Sequence, residues 1–174
     1  MSTFVKLEHL LKRKTSWNES EREAKESDLD LLKKFISKTR PHCIVVGTVD
    51  RVAMGIRDDI EGLVNDLVSD EQFPKIKVTL MSDNLARVYA NSTRAEADFR
   101  EYPTVLRQAI SLARRMQDPL IEFAQLTGAE KEIICLRYHP LQDSISEEEL
   151  LEGLYLEFIN RICEVGVDIN QCVL

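Results

Sequence analysis

The chemistry open to this chain centres on an Asp-Pro pair in the segment "SLARRMQDPLIEFAQL". Asp118 and Pro119 interrupt what is otherwise the pattern of one amphipathic helix, shortly after Arg114 and Arg115. A carboxylate presented from a helix can transfer protons or hold a divalent metal ion. It can also cap a restarted helix, since aspartate accepts a hydrogen bond from a first-turn N–H and proline favours the first helical position. The cap is favoured because it explains both residues, and the metal-ligand alternative stays open.

Other reactive residues show no arrangement typical of a catalytic or metal site. The four cysteines are scattered without a Cys-x-x-Cys pair, so they are predicted to be free thiols that pack as small buried hydrophobic residues. The three histidines lack zinc-site spacing, and Gly47 stands without a phosphate-loop motif. No metal or cofactor is therefore expected. These cysteines and histidines are Cys43, Cys135, Cys163, Cys172, His9, His42 and His139.

Length and charge narrow the classes of function. The chain has 174 residues, enough for one domain, with a formal net charge of −7 and a pI near 5.1. A net negative charge opposes nonspecific binding to phosphate backbones, so nucleic-acid binding is expected to be weak or indirect. The two adjacent arginines are expected to lie on a solvated face or to pair with Glu122 or Asp118. No stretch approaches the ~20 apolar residues that span a bilayer, so no membrane association is expected.

Two segments carry strand patterns, with a helical pattern between them. "CIVVGTV", residues 43–49, is a β-branched run without polar alternation and is predicted to be the most buried strand of a sheet. "KIKVTLM", residues 75–81, alternates polar and apolar residues and predicts a half-exposed strand. Apolar residues from Val52 to Val68 recur at helical spacing, so the two strands are predicted to pair in parallel. Weaker strand patterns are "TFVKL", "LARVYA" and "IICLRY".

Capping signals predict where the other helices begin and end. A Ser or Thr followed three residues later by Glu opens helices at Ser20, Thr93 and Ser146. Proline cannot donate to the preceding turn, so the helix after Pro103 is predicted to break near residues 116–119. Gly166 is predicted to end the last helix. The predicted buried faces of these two helices are Val105, Leu106, Ala109, Ile110, Ala113 and Met116, and Leu150, Leu151, Leu154, Tyr155, Phe158, Ile159 and Ile162.

Two long segments resemble a known family. "RVYANSTRAEADFREYPTVLRQAISLARRMQDPLIEFAQL" and "FINRICEVGVDIN" are similar to the central YqgF, or RNase H-like, domain of the bacterial transcription factor Tex and of its eukaryotic relatives, the Suppressor of Ty six family. "ARRMQDPL" and "EVGVDIN" are the specific parts. The resemblance implies an α/β fold, an RNase H-like mixed sheet flanked by helices, over residues 1–164. It also implies that the first strands are missing and that residues 165–174 start a helix-hairpin-helix module.

The same resemblance implies a function. It implies a noncatalytic scaffold in a nuclear transcription elongation factor and histone chaperone, with RNA polymerase II, elongation factors and histones as partners. Active relatives of this fold hold two metal ions with several carboxylates. Matched by position, Asp83 and Asp118 are the degenerate counterparts of such carboxylates, and the first-strand aspartate has none. The chain is therefore expected not to be an enzyme, and the alternative is a metal-dependent resolvase-type nuclease or a junction-binding domain.

Overall fold

A computed structural model describes residues 3–12, 17–48, 52–71, 73–128 and 130–166 of the chain. The chain divides into two compact units, Met1–Ser82 and Asp83–Leu174. Helices and a small parallel sheet together confirm the predicted α/β class. No helix within the described ranges is long and apolar enough to cross a membrane.

Among its described residues, the first unit contains two helices and two strands. Helix α1 spans Glu19–Thr39, strand β1 Cys43–Thr48, helix α2 Val52–Glu71 and strand β2 Lys77–Ser82. The strands pair in parallel as predicted, with Val46 opposite Leu80. Helix α2 packs on both strands and α1 packs on α2. The core of this unit is Ile36, Ile60, Val64, Leu67, Phe73 and Ile76.

Strand β1 is less buried than its composition predicts. All six of its residues are half-buried, whereas both ends of β2 are exposed, so β1 is the more buried of the two described strands, as predicted, although none of its residues is fully buried. Within the described residues β1 pairs with β2 alone, which leaves its second edge without a strand. A run of β-branched residues indicates extended backbone, but burial depends on what packs against the two faces.

An ion pair joins α1 to α2 inside the first unit. The Lys25 ammonium lies 2.6 Å from an Asp59 carboxylate oxygen, and the side chains are only 8% and 13% exposed. The ammonium also donates to the carbonyl of Lys12 at 2.6 Å.

The N-terminal cap of α1 is Asn18, whose side chain accepts from the N–H of Ser20, so the cap predicted at Ser20 lies two residues too late.

The second unit is helical. Its helices are α3 Asn84–Ala90, α4 Thr93–Asp98, α5 Thr104–Gln117, α6 Pro119–Ala124 and α7 Glu147–Val165, with short 3-10 turns at Gln125–Thr127, Glu132–Cys135 and Gln142–Ser144. Helix α5 packs on α3 and α6, and α6 packs on α7. The core is Leu85, Tyr89, Ala95, Leu126, Ile133, Leu136 and Leu151.

The three weaker strand predictions are wrong. "TFVKL" forms no strand, "LARVYA" lies in α3, and part of "IICLRY" forms a 3-10 turn. In α3, Leu85 and Tyr89 are four residues apart and both buried, which is the helical period. Ile133 and Leu136 are three residues apart and both buried, which suits the three-residue period of a 3-10 turn.

Capping predictions in this unit are confirmed at the last helix and displaced by one residue at α4. Ser146 and Glu149 form a reciprocal capping box, and Gly166 ends α7 with φ 77°. The cap of α4 is Ser92, whose hydroxyl accepts from the N–H of Ala95, rather than the predicted Thr93. Ser92 is buried, so its hydroxyl also satisfies a donor that water cannot reach.

Helix α5 exposes most of its predicted buried face, and only Leu106 and Ile110 of that face are half-buried. Val105 is 75% exposed and Met116 38% exposed, and Ala109 and Ala113 are exposed as well. The opposite side of the helix carries Ser111, which is fully buried. That side packs inward because Arg107 donates to the carbonyls of Phe99, Ala90 and Arg100 and Arg114 donates to Tyr89, so its polar groups are satisfied.

Candidate functional site

Asp118 lies between two helices as an exposed N-terminal cap. Its Oδ1 accepts a hydrogen bond from the N–H of Ile121 at 3.1 Å, and Pro119 is the first residue of α6. Helix α5 ends at Gln117, so the predicted break is also confirmed. The carboxylate therefore has a complete structural role in this unit.

Asp83 occupies a different environment at the end of β2. It is 4% exposed, and its Oδ2 lies 3.3 Å from Nε of Arg87, one turn along α3. The contact is an ion pair without hydrogen-bonding geometry, because Asp83 Oδ2 has no hydrogen-bond partner. In the described part of the chain, no group of three acidic, cysteine or histidine side chains is placed to hold a metal ion.

A buried aromatic and charged cluster joins α3, α4, α5 and α6. Arg114 donates from Nη1 to the Tyr89 hydroxyl at 3.0 Å, and that hydroxyl donates to Asp98 at 3.4 Å. The Arg114 guanidinium carbon lies 5.2 Å from the centroid of the Phe99 ring. Of the two alternatives predicted for Arg114, the solvated face is wrong, since this side chain is half-buried between aromatic rings. Its charge does act on Glu122, one of the two acidic partners predicted for it. Arg115 lies 5.3 Å from the centroid of the Phe123 ring.

Glu122 is the buried acid of this cluster. It is 1% exposed, and burial raises the pKa of its carboxyl above the ordinary value of 4.5. The Ser111 hydroxyl, the Arg114 and Arg94 charges and the Gln125 amide act in the opposite direction on this pKa. Gln125 donates to Glu122 Oε2 at 3.1 Å, whereas Ser111 Oγ faces the carboxyl outside hydrogen-bonding geometry. The fold thus places the Glu122 carboxyl of α6 beside Ser111 and Arg114 of α5, which composition does not reveal.

An apolar groove runs between α6 and α7. Its volume is about 420 Å³, and its walls carry almost no polar surface. The α6 side is formed by Pro119, Leu120 and Phe123. The α7 side and the adjoining loop contribute Leu154, Glu157, Phe158, Arg161, Val165 and Tyr138.

Helix α7 carries further exposed apolar residues that do not line the groove. Tyr155, Ile159 and Ile162 are 44%, 56% and 39% exposed, although the helical pattern predicts them to be buried. Leu151 alone on this helix is fully buried among its described residues. A helix with this many exposed apolar side chains presents a surface that is suited to contact with another protein.

The groove was missed from the sequence because two separate apolar segments form it. Leu120 and Phe123 follow the Asp-Pro pair, and Phe158 and Val165 lie more than thirty residues further along the chain. The available signal was that apolar residues of α7 occupy more than half of its circumference.

The thiols of Cys43, Cys135 and Cys163 are free as predicted, but Cys135 and Cys163 are exposed rather than buried, and Cys172 lies outside the described residues.

Two family models match the chain. Residues 3–127 match YqgF, described as Holliday-junction resolvase-like of SPT6, and residues 131–174 match a helix-hairpin-helix motif. Residues 167–174 of the predicted start of that module lie outside the described residues, and a domain boundary at residue 164 stays a prediction.

Similar proteins carry related names. The chain is 50% identical over 173 residues to transcription elongation factor SPT6 of Drosophila melanogaster, which covers 99% of the chain and 9% of that protein. It is 42% identical over 149 residues to the Suppressor of Ty 6 homolog of Caenorhabditis briggsae, covering 85% of the chain and 10% of that protein. An SPT6 homolog of Arabidopsis thaliana is 27% identical over 164 residues, or 89% of the chain and 10% of that protein.

The chain spans about a tenth of the length of these relatives. The family model covers well over half of the chain and includes the "ARRMQDPL" segment in which the resemblance is specific. The chain therefore belongs to the YqgF family, the Holliday-junction resolvase-like domains of SPT6.

Proposed function

We propose that this chain is a noncatalytic docking domain of a nuclear transcription elongation factor and histone chaperone. The observation that carries the proposal is its similarity, over 99% of its length, to a protein named transcription elongation factor SPT6. The full-length protein would act with RNA polymerase II, elongation factors and histones. The apolar groove between α6 and α7 supports a docking role because it offers an open apolar surface.

The environments of the two candidate carboxylates support a noncatalytic role. A two-metal site needs several free carboxylate oxygens that converge on both ions. Asp118 accepts from the N–H of Ile121, and Asp83 faces the guanidinium of Arg87. Nucleic acid would contact this domain weakly or indirectly, given a net charge of −7.

The test is reconstituted transcription elongation by RNA polymerase II with the full-length factor. Asp118→Asn and Asp83→Asn should leave elongation unchanged, because neither carboxylate does chemistry. Leu120→Ser combined with Val165→Ser should slow elongation, because both residues line the groove. Val105→Ser is the matched control, since Val105 and Val165 are both 75% exposed and Val105 does not line the groove. Loss of elongation in the aspartate variants alone would contradict the proposal.

The second candidate function is a metal-dependent resolvase-type nuclease or junction-binding domain. The matching family model is itself described as Holliday-junction resolvase-like, and both carboxylates are present. The assay supplies Mn²⁺ or Mg²⁺ with four-way junctions, duplexes, single strands and RNA–DNA hybrids. Cleavage that disappears in both Asp83→Asn and Asp118→Asn would replace the docking proposal with this one.

A further inference from the structure

The groove between α6 and α7 has the length and spacing of a helix-binding site. Leu154, Phe158, Arg161 and Val165 line it at intervals of four, three and four residues, so they form one continuous row along α7. Eleven residues of helix rise about 16 Å, or three turns. An amphipathic helix lays apolar side chains at the same intervals into grooves of this kind.

The charges beside the groove determine whether a positively or a negatively charged partner is favoured. Helix α7 contains six glutamates and one arginine. That arginine, Arg161, is shared between Glu157 at 2.7 Å and Glu164 at 2.8 Å, so one guanidinium faces two carboxylates. On the α7 edge, Glu157, Arg161 and Glu164 together therefore keep one net negative charge, while on the α6 side Arg115 lies over the Phe123 ring. The negative α7 edge favours a partner whose basic side chains lie along α7 and disfavours nucleic acid there.

The same charges disfavour a second copy of the chain as the occupant. A symmetric dimer through this surface would bring two acidic α7 helices together, each within a molecule of net charge −7. Like charges placed opposite each other at an interface oppose association. A partner with lysine or arginine beside its apolar stripe would instead relieve the excess of carboxylates.

We propose that the groove between α6 and α7 binds a basic amphipathic helix of a partner protein. The apolar side chains of that helix contact Leu120, Phe158 and Val165, and its basic side chains lie beside Glu157 and Glu164. This inference rests on the proposed docking function, because it names the partner that the same surface accepts.

The first experiment measures binding by fluorescence anisotropy to the whole chain. The probe is a labelled helical peptide of about 15 residues, with leucines at helical spacing and flanking lysines. A peptide with glutamate in place of each lysine is the comparison. The lysine peptide should bind at least about tenfold more tightly, and more weakly as salt is added. Equal binding of the two peptides would overturn the proposal.

Paired charge reversals separate local recognition from net charge. Glu157→Lys with Glu164→Lys should weaken binding of the lysine peptide about five- to tenfold. Glu130→Lys with Glu152→Lys changes the net charge equally, but these two glutamates neither line the groove nor pair with Arg161, so this pair should change affinity by less than about twofold. Equal weakening by both pairs would show nonspecific attraction and overturn the proposal.

Removal of one apolar contact tests the groove itself. Val165→Ser should weaken peptide binding about fivefold, because it exposes the peptide where two methyl groups packed. Val105→Ser, at an equally exposed valine of α5, should leave binding unchanged. Circular dichroism establishes that each variant remains folded. Unchanged binding by the folded Val165→Ser variant would contradict the assignment.

Other occupants give distinct results. Tighter peptide binding after removal of residues 167–174 would show that this segment fills the groove and would overturn the proposal. Concentration-dependent dimers that compete with the peptide would identify a second copy, with the same consequence. If no peptide binds but elongation by the full-length factor still depends on Leu120 and Val165, the basic helix is wrong and the docking function stands.

Discussion

The carboxylate of Asp118 accepts a hydrogen bond from the N–H of Ile121, with Oδ1 and the nitrogen 3.1 Å apart. Asparagine caps a helix as well as aspartate does, and alanine cannot cap. Asp118→Asn should therefore be nearly neutral, and Asp118→Ala should lower the free energy of unfolding by about 1 kcal/mol in urea denaturation. Mg²⁺ or Mn²⁺ that raises Tm of the wild type but not of the asparagine variant would show a metal site.

Ser92, rather than Thr93, should supply the capping hydrogen bond that stabilises α4. Its buried hydroxyl accepts from the N–H of Ala95 at 3.0 Å. Ser92→Ala should cost about 1–2 kcal/mol in the free energy of unfolding, because a buried donor loses its acceptor. Thr93→Ala provides the neighbouring control and should cost less than about 0.5 kcal/mol. Equal losses at the two positions would contradict the assignment of the cap.

Glu122 should make stability depend on pH. Burial raises the pKa of its carboxyl in the folded state above the ordinary value of 4.5, so the unfolded state releases this proton at lower pH. The contribution is fully present below 4.5 and is lost as pH rises through the raised pKa. Unfolding free energies measured by urea should therefore decline over this range in the wild type.

Glu122→Gln isolates that contribution, since glutamine resembles the protonated acid in shape and stays neutral. The variant should show a flatter pH profile than the wild type. The Gln125 amide and the Arg114 guanidinium remain in place beside the substituted side chain. A parallel profile for wild type and variant would exclude Glu122 as the titrating group.

The buried Lys25–Asp59 pair should be costly to break from one side. Lys25→Met removes the ammonium that lies against the largely buried Asp59 carboxylate and should cost about 3–5 kcal/mol. Combining it with Asp59→Leu should recover much of that loss, because neither charge of this pair is then left buried. Lys6→Met removes the lysine of the exposed Lys6–Glu8 pair and should have little effect. A double variant as unstable as the sum of the singles would contradict this account.

Arg114 should not be replaceable by lysine. Its guanidinium donates to the Tyr89 hydroxyl and lies over the Phe99 ring, a geometry that needs a planar cation. Arg114→Lys should lower Tm and cost about 1–2 kcal/mol. Arg100→Lys, at an exposed position in the same unit, is the control and should be neutral. A neutral Arg114→Lys would show that charge alone suffices.

Local signals predicted the helix limits because their physical cause is local. Pro119 removes a hydrogen bond within one turn, and the Ser146–Glu149 box closes across three residues, so both effects are present in the bare sequence. Parallel pairing of β1 with β2 followed from the intervening helix. Burial was harder to predict, since the outward stripe of α5 results from Arg107 and Arg114 finding acceptors on distant segments.

The same difference between local and long-range effects holds for the candidate site. The cap at Asp118 was predictable from its neighbour Pro119. The Tyr89–Arg114 contact joins residues 25 positions apart, and the groove joins α6 to a helix that begins after an intervening loop. Such pairs become neighbours only when the chain folds, so periodicity within a single segment can indicate a second apolar face, as on α7, but not which segment it meets.

The outward apolar stripe of α5, from Val105 to Met116, bears on the colloidal behaviour of the molecule. Mutual repulsion between copies of net charge −7 keeps such stripes apart at neutral pH. At the isoelectric point, near pH 5.1, that repulsion vanishes and the stripes can adhere when molecules collide. Turbidity should consequently peak in mildly acidic buffers, and crystallisation trials there would favour lattices built through α5.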